Sequence, residues 1–270
     1  MKKILCPTDF SETANNAIAY AAKLCQKLSA ELTLFNVQSV FSLPPDEVIK
    51  GSYLATELVR EKLDSLSYQV MEVYKISCTY EVEASNQNME TLIANRGIGY
   101  DLILMGTNGA DDYYQFFFGS RSYEVAKKSS VPVLLVPTRY LYQDIALSAY
   151  AFDYEGELEV PMIQMTDWIT ITKSKVIVVQ IKDHYTREAE LSSKQVVERT
   201  KLRNNSIDLL FDTVYSDDVG QAIHDYVTNS KVDVLALCSI HHSFITTLFQ
   251  KSVINKLTAT ADYPILVFHK

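Results

Sequence analysis

Apolar positions in the first half of the chain follow two spacings, one typical of strands and one typical of helices. Residues 4–7 form a short apolar run, and apolar residues then recur at every third or fourth position up to Leu28. A buried strand followed by an amphipathic helix explains this change of spacing. Because the same change recurs along the chain, we expect strands that alternate with helices and pair in parallel through right-handed crossovers.

Five strands and the helices between them are expected in the first half. The predicted strands are residues 4–7, 32–37, 78–84, 101–105 and 131–136. A loop is predicted at Pro44 and Pro45, followed by a long helix from about Tyr53 to Tyr74, and shorter helices are predicted near Met89 and Tyr123. Such an order is typical of a parallel sheet with helices on both faces.

The second half repeats this pattern at a fixed distance. Residues 233–237 lie 132 positions after 101–105, and residues 263–268 continue the same register after 131–136. Two copies of one domain explain a register without a gap.

The repeat also sets the expected domain boundaries. Residues 145–148 and 176–181 occupy the places of the first and second strands. We therefore expect one domain at residues 1–138 and a second at 145–270, joined by a short segment without glycine.

Composition and charge narrow the expected partners and location. The chain has 270 residues, 47% of them hydrophobic, and a net charge of −8. Nucleic acid is disfavoured because its binding depends on clustered Lys and Arg. No stretch reaches the roughly 20 apolar residues that span a bilayer, and the first residues lead into a strand and not into a signal peptide. We expect a cytoplasmic protein without a membrane partner.

Four cysteines are present, and none forms a CxxC pair. They lie within apolar patterns, as reduced core thiols do, although a redox or metal role is the alternative. The cysteines are Cys6, Cys25, Cys78 and Cys238.

Three of the eight glycines follow one predicted strand. Gly106, Gly109 and Gly119 fall within fourteen positions, and Ser120 comes directly after the last of them. Ligands of open parallel sheets bind beyond the carboxyl ends of the strands, where a glycine loop that leads into a helix offers N–H groups to an anion. Glycines used only as turn residues are the alternative.

The spacing Gly106-x2-Gly109-x9-Gly119-Ser120, between a buried strand and a helix, resembles the ATP-binding motif of the universal stress protein family. Residues 4–11 resemble the first strand and turn of that family. The resemblance is clear over residues 1–137 and weaker over 145–270. It implies an α/β fold of two tandem flavodoxin-like, or Rossmann-like, domains. Each would be a five-stranded parallel sheet of order 3-2-1-4-5 with helices on both faces.

The same resemblance implies ATP, with or without Mg²⁺, bound in the N-terminal domain only. On this chain the residues that it assigns to adenine and ribose are Pro7, Asp9, Val37 and Met105. Those that it assigns to the phosphates are Gly106, Gly109, Gly119, Ser120 and the backbone of Arg121. Asp111 and Asp112 would weaken phosphate binding unless a metal ion bridges the charges. No catalytic residue or protein metal site is assigned.

The second half lacks this motif. In the 132-residue register the three glycines are replaced by Cys238, His241 and Lys251, and only the serine is retained, as Ser252. We therefore expect the second domain to bind no ATP in the manner of the family, and to serve through its fold and its interface.

Several of these features have simpler explanations. Asp9 fits a helix N-cap, because Glu12 follows three residues later as in a capping box. His241 and His242 are adjacent, without an evident carboxylate partner, and fit an ordinary polar loop. The aromatic run 113–118 fits either a lid or sheet-edge packing, and Trp168 fits a core position.

Three functions remain as hypotheses. The first is a nucleotide-binding regulator of the stress response with at most slow hydrolysis, since no paired carboxylates, nucleophile–base pair or P-loop accompany the motif. The second is a scaffold that binds no nucleotide. The third is an enzyme of the related adenine nucleotide α-hydrolase type, which would need an activating base or metal cluster.

The resemblance also implies assembly through the last strands. In a tandem chain the two domains can pair internally as a pseudo-dimer, with residues 133–136 beside 265–268. Pairing would cover two apolar strand edges. Association of two chains into a homodimer would be a further step.

Overall fold

The chain folds into two compact units. A computed structural model describes residues 1–39, 45–107, 119–153, 159–182, 197, 208–239 and 261–269. The first unit contains Met1–Thr107 and Glu124–Tyr142, and the second contains Asn108–Tyr123 and Gln143–Lys270. None of the helices in these described ranges is both long and apolar enough to cross a membrane.

The first five strands form a parallel sheet. Its elements are β1 (Lys3–Pro7), α1 (Glu12–Leu28), β2 (Glu31–Ser39), α2 (Pro45–Tyr74), β3 (Cys78–Ser85), α3 (Met89–Arg96), a 3₁₀ turn (Gly97–Gly99), β4 (Leu102–Thr107), α4 (Gly119–Lys128) and β5 (Val133–Pro137). The strand order is β3-β2-β1-β4-β5, with every neighbouring pair parallel. The predicted order 3-2-1-4-5 is therefore confirmed.

The second unit repeats this topology. Its elements are β6 (Leu147–Asp153), α5 (Glu159–Thr172), β7 (Lys175–Lys182), β8 (Leu209–Tyr215), α6 (Val219–Asn229), β9 (Val234–Ser239) and β10 (Ile265–His269). The order β8-β7-β6-β9-β10 matches that of the first unit, again in parallel pairs. Strands β9 and β10 begin and end 132 residues after β4 and β5. The predicted α/β class and the repeat are confirmed.

Helix α1 begins at Glu12 because Ser11 caps it. The backbone of Ser11 is extended, and its Oγ accepts the N–H of Ala14 at 3.2 Å. The alternative that Asp9 is the N-cap is therefore wrong. The carboxylate of Asp9 accepts the N–H of Ser11 at 3.0 Å, so it orders the turn before the helix.

Several predicted boundaries differ from the structure, and three of these differences have a local cause. Helix α2 begins at Pro45 and not near Tyr53. Proline is tolerated there because the N–H groups of the first helical turn have no partner within the helix, so the missing N–H of proline costs nothing. Strand β5 begins at Val133, since the Ser129 hydroxyl holds the preceding residues in a turn by donating to the carbonyl oxygen of Val131 at 2.7 Å. Strand β6 runs from Leu147 to Asp153 because its whole length pairs with β7.

The cores contain the residues predicted to be apolar and buried. All four cysteines are free thiols in the interior, as expected. Burial raises the pKa of Cys25 and Cys78 to about 12, so these thiols are neutral at physiological pH. Trp168 is buried as predicted, and its indole N–H donates to the Ser148 hydroxyl at 3.2 Å.

An aspartate before the fourth strand ties each sheet together in the same way. The Asp101 carboxylate accepts the N–H groups of Lys2 and Lys3 at 2.6 and 2.9 Å. Asp233, 132 residues later, accepts those of Ala146 and Leu147 at 2.8 and 2.9 Å. The two units thus share a side-chain interaction as well as a topology.

We expect Asp101→Asn to lower the free energy of unfolding by about 1 kcal/mol at neutral pH, a low value for a charged hydrogen bond because the site is exposed. Although burial acts to raise the pKa of Asp101, donation by Lys2 and Lys3 and the charges of the N-terminal amine and Lys2 bring it below its ordinary value. This contribution is complete above the ordinary carboxyl pKa of about 4 and lost as the pH falls through the lower folded-state pKa.

Denaturant unfolding at several pH values measures this difference. Wild type and Asp101→Asn should converge in acid, and Asp233→Asn provides the matched change in the second unit. A gap between wild type and Asp101→Asn that stays constant down to pH 2 would contradict the assignment.

Candidate functional site

The carboxyl ends of three strands meet at one edge of the first sheet. Strand β1 lies between β2 and β4, with Pro7 paired with Phe35 and Leu5 with Ile103. Extending this register places Met105 of β4 level with Pro7. The strand order reverses beside β1, which is the position where open α/β sheets bind ligands.

A buried amide fixes the turn that follows β1. The Nδ2 of Asn36 donates to the carbonyl oxygen of Thr8 at 2.7 Å, and the N–H of Thr8 donates to the carbonyl oxygen of Phe35 at 2.8 Å. Asn36 is 4% exposed, and its Oδ1 accepts from the side chain of Gln38. The sequence prediction did not identify Asn36, although a polar residue within the apolar run Leu34–Val37 was an available signal.

The turn between β1 and α1 has an uncommon backbone conformation. Phe10 has a φ of 64°, in the left-handed region that a bulky residue seldom adopts. The Thr8 hydroxyl oxygen supports this conformation by accepting the N–H of Phe10 at 3.1 Å. The ammonium of Lys62 lies 5.7 Å from the centre of the Phe10 ring. Strain held in place by several contacts is a frequent property of ligand sites.

Asp9 is the exposed acidic group of this turn. Its neighbours in the assigned adenine and ribose set are largely enclosed, with Pro7 buried and Val37 and Met105 each 9% exposed. One carboxylate oxygen of Asp9 accepts the N–H of Ser11. A carboxylate with further acceptor positions can bind the hydroxyl groups of a sugar.

Gly106 lies within β4 and not in the loop after it. It pairs with Val136, and Thr107 pairs with Pro137, so the prediction of a loop from Gly106 onward is wrong at this residue. A Cβ on Gly106 would lie 2.5 Å from the carbonyl oxygen of Thr13 and 2.9 Å from its carbonyl carbon. The close approach of α1 therefore gives this glycine a packing role that does not depend on a ligand.

The matching position of the second unit accepts a side chain. Cys238 lies in β9 with 1% of its surface exposed, in register with Phe268 of β10. The replacement of glycine by cysteine is therefore accommodated inside this unit.

Hydrogen bonds between α1 and the ends of β4 and β5 hold this edge together. The N–H and hydroxyl of Thr138 donate to the carbonyl oxygen of Thr107 at 2.8 and 3.0 Å. The hydroxyls of Thr13 and Thr138 are 2.7 Å apart. Asn16 Nδ2 donates to the carbonyl oxygens of Pro137 and Tyr140 at 2.9 and 3.1 Å. The end of β4 is thus well anchored.

The remaining predicted residues belong to α4 or lie outside the described part of the chain. Helix α4 begins at Gly119, as predicted, followed by Ser120 and the exposed Arg121. Those outside the described residues are Gly109, Asp111, Asp112, the aromatic run 113–118, His241, His242, Lys251 and Ser252. Over the described ranges, no group of three or more His, Cys, Asp or Glu side chains is arranged to hold a metal ion.

Comparison with known proteins identifies chains that are similar to half of this chain and one structure that is similar to nearly all of it. Two universal stress proteins of Methanocaldococcus jannaschii are 27% and 28% identical to this chain over 156 and 145 residues. Each alignment takes in 50% of this chain, and 94% and 81% of the respective relatives. The crystal structure of a universal stress protein from Archaeoglobus fulgidus covers 99% of this chain and 98% of its own, with a TM-score of 0.75 and 18% identity, which shows a shared fold.

The model of the universal stress protein family matches residues 1–137. This segment is just over half of the 270 residues and contains the strand edge described above. The chain therefore belongs to the universal stress protein family.

Proposed function

We propose that this protein is a stress-response regulator that binds an adenine nucleotide, ATP, in its N-terminal domain, residues 1–138, at the sheet of the first unit. The observation that carries the proposal is the strand edge where the exposed Asp9 follows β1, whose last residue, Pro7, pairs with Phe35 of β2 and lies level with Met105 of β4. The turn that presents Asp9 is held by Asn36 and Thr8, so its geometry exists without a ligand. A preformed site avoids part of the ordering cost of binding.

The assigned residues divide by the chemistry that they offer. Asp9 would accept hydrogen bonds from ribose hydroxyls, and the largely buried Pro7, Val37 and Met105 would contact the base. Gly109 and the start of α4, at Gly119, Ser120 and Arg121, would offer backbone N–H groups to the phosphates. Gly106 would contribute through its backbone, since its Cβ direction faces Thr13.

A regulatory role agrees better with these residues than fast catalysis does. Asp9 is the titratable member of the assigned adenine and ribose set, and no general base accompanies it in that set. In the second unit, Cys238 occupies the position of Gly106, so we confine the nucleotide to the first unit. Occupancy of the first unit would then be the signal.

Calorimetric titration with ATP, with and without Mg²⁺, tests the proposal. We expect saturable binding of one nucleotide per chain, and a loss of at least about 100-fold in affinity for Gly119→Lys, because the long side chain fills the space of the phosphates. The matched control is Lys251→Ala, the equivalent position in the second unit, which should bind ATP as wild type does.

The other possible results of the ATP titration would each contradict one part of the proposal. If ATP does not bind, or binds equally to Gly119→Lys, the nucleotide site is refuted and a scaffold of the same fold is favoured. Two nucleotides per chain would refute the restriction to the first unit. Turnover above about 1 per second would indicate an enzyme and not a regulator.

A further inference from the structure

A lysine is enclosed at the end of the second strand of the second unit. Lys182 is the last residue of β7, and only 2% of its surface is exposed. Its Nζ is buried and has no hydrogen-bond partner among the described residues. An ammonium removed from water costs several kcal/mol unless an acceptor or an opposite charge compensates it.

Three aromatic residues of the neighbouring strands share the face of the sheet with Lys182: Tyr215 beside it, and Phe152 and Phe211 two and four positions earlier in the register. The register of β7 with β8 pairs Lys182 with Tyr215 and Val178 with Phe211. Phe152 of β6 contacts Phe211, with 6.4 Å between the ring centres. The nearest acidic residue of β8, Asp212, pairs with Val179 on the opposite face and accepts the Tyr226 hydroxyl at 3.0 Å. These contacts supply no counter-charge to Lys182.

The equivalent position of the first unit holds a neutral side chain with a hydrogen-bond partner. Leu5 pairs with Ile103, and Ala149 pairs with Leu235, 132 residues later, so Leu5 and Ala149 are equivalent. Their partners on the second strands are Thr33 and Ile177, which makes Gln38 equivalent to Lys182. Gln38 is neutral, and its amide donates to Asn36 within the same strand. The second unit therefore has a cation at the position where the first unit has a neutral, hydrogen-bonded amide.

We propose that Lys182 is the cationic anchor of an anion-binding site at the carboxyl edge of β7, for a small molecule that presents phosphate or carboxylate oxygens. Ligands of parallel α/β sheets bind at this edge, and a compact ammonium suits such oxygens. The site is in the second unit and does not depend on the nucleotide site proposed above. It would give the second unit a ligand although its glycine motif is lost.

Thermal unfolding of the dialysed full chain tests this site. The parent is a Gly119→Glu protein, whose added carboxylate repels phosphate at the nucleotide site of the N-terminal domain. Inorganic phosphate and acetate are the probes, at ionic strength matched with chloride. We expect a saturable rise of at least about 2 °C in Tm with one of these anions, by linkage of binding to folding.

Two variants identify the lysine responsible. Lys182→Met removes the charge and keeps a similar length, so it should abolish the rise and raise the Tm without anion, because a buried unpaired charge is gone. Lys175→Met is the matched control on the same strand, since Lys175 is exposed and paired with Asp208 at 3.3 Å, and it should retain the full rise. Lys182→Gln serves if circular dichroism shows that Lys182→Met is unfolded.

The proposal is overturned by any of three results. They are a parent Tm that neither anion raises, a rise that increases linearly with concentration as chloride produces, or an equal rise in the Lys182 variant. A rise with phosphate alone identifies a phosphate-bearing ligand, and a rise with acetate alone identifies a carboxylate.

Discussion

Gly106→Ala is expected to destabilise the first unit by about 3 kcal/mol, the upper part of the range for overpacking in a core. The added Cβ would lie 2.5 Å from the Thr13 carbonyl oxygen, and the backbone of α1 cannot rotate away as a side chain can. Retreat of the helix would also strain the hydrogen bond between the hydroxyls of Thr13 and Thr138. Unfolding in denaturant, followed by circular dichroism, measures the loss.

A second glycine provides the control for Gly106. No atom lies within 4 Å of a Cβ built on Gly99, so Gly99→Ala should change stability by about 0.5 kcal/mol or less. Adding Thr13→Ala to Gly106→Ala should restore only part of the loss, because the backbone clash remains. If Gly106→Ala were as stable as wild type, the packing role of this glycine would be refuted.

Asn36→Asp is expected to cost at least about 3 kcal/mol at neutral pH, which is the magnitude for a buried charge that no opposite charge compensates. The change replaces an amide donor by a carboxylate that would face the Thr8 carbonyl oxygen, now 2.7 Å from Nδ2. The turn that presents Asp9 would lose its support, so ATP affinity should fall about 10-fold or more.

The pH dependence of the loss in free energy of unfolding shows whether the charge of Asn36→Asp causes it. A general loss of packing would not depend on the protonation of this carboxyl. A buried carboxyl that faces a carbonyl oxygen has a pKa above its ordinary value of about 4, so the folded state is penalised at higher pH. Below that value the protonated group is an O–H donor to Thr8, and the gap from wild type should close. A gap that widens in acid would contradict the assigned contact.

Asn15→Asp is the matched control for Asn36→Asp. It makes the same change of side chain at an exposed position of α1, where the Asn15 amide donates to the carbonyl oxygen of Phe10 at 3.4 Å. Since water reaches this position, the expected cost is below about 1 kcal/mol. An equal loss in both variants would mean that negative charge near this turn, and not the Thr8 contact, is responsible.

The polar side chains at the carboxyl ends of β2 and β7 have different roles in the two units. In the first unit, Asn36 and Gln38 satisfy one another and hold a turn. In the second unit, the position of Gln38 is taken by Lys182, which is buried without a described partner. Duplication thus preserved the sheet while the residues at its carboxyl edge diverged, which is where ligand specificity resides in this class of fold.

The sequence was sufficient for the architecture because that depends on periodic patterns. The spacing of apolar residues predicted strands that alternate with helices. The 132-residue register predicted β9 and β10 at 233–237 and 263–268, within two residues of their observed bounds. Boundaries were less accurate where a single local contact decides them. Helix α2 starts at Pro45, although the sequence pattern predicts a loop there. Ser11 caps α1, although Asp9 fits the capping-box motif.

By itself, then, the sequence determined the class of fold, its duplication and the residues worth testing as a nucleotide site. Only the tertiary structure decided that Gly106 faces Thr13, that Asn36 holds the turn before Asp9, and that Lys182 is enclosed. Periodicity records which face of an element is buried, because that preference is summed over many residues. What a single glycine, amide or ammonium touches depends on partners distant in sequence, and no local pattern contains that information.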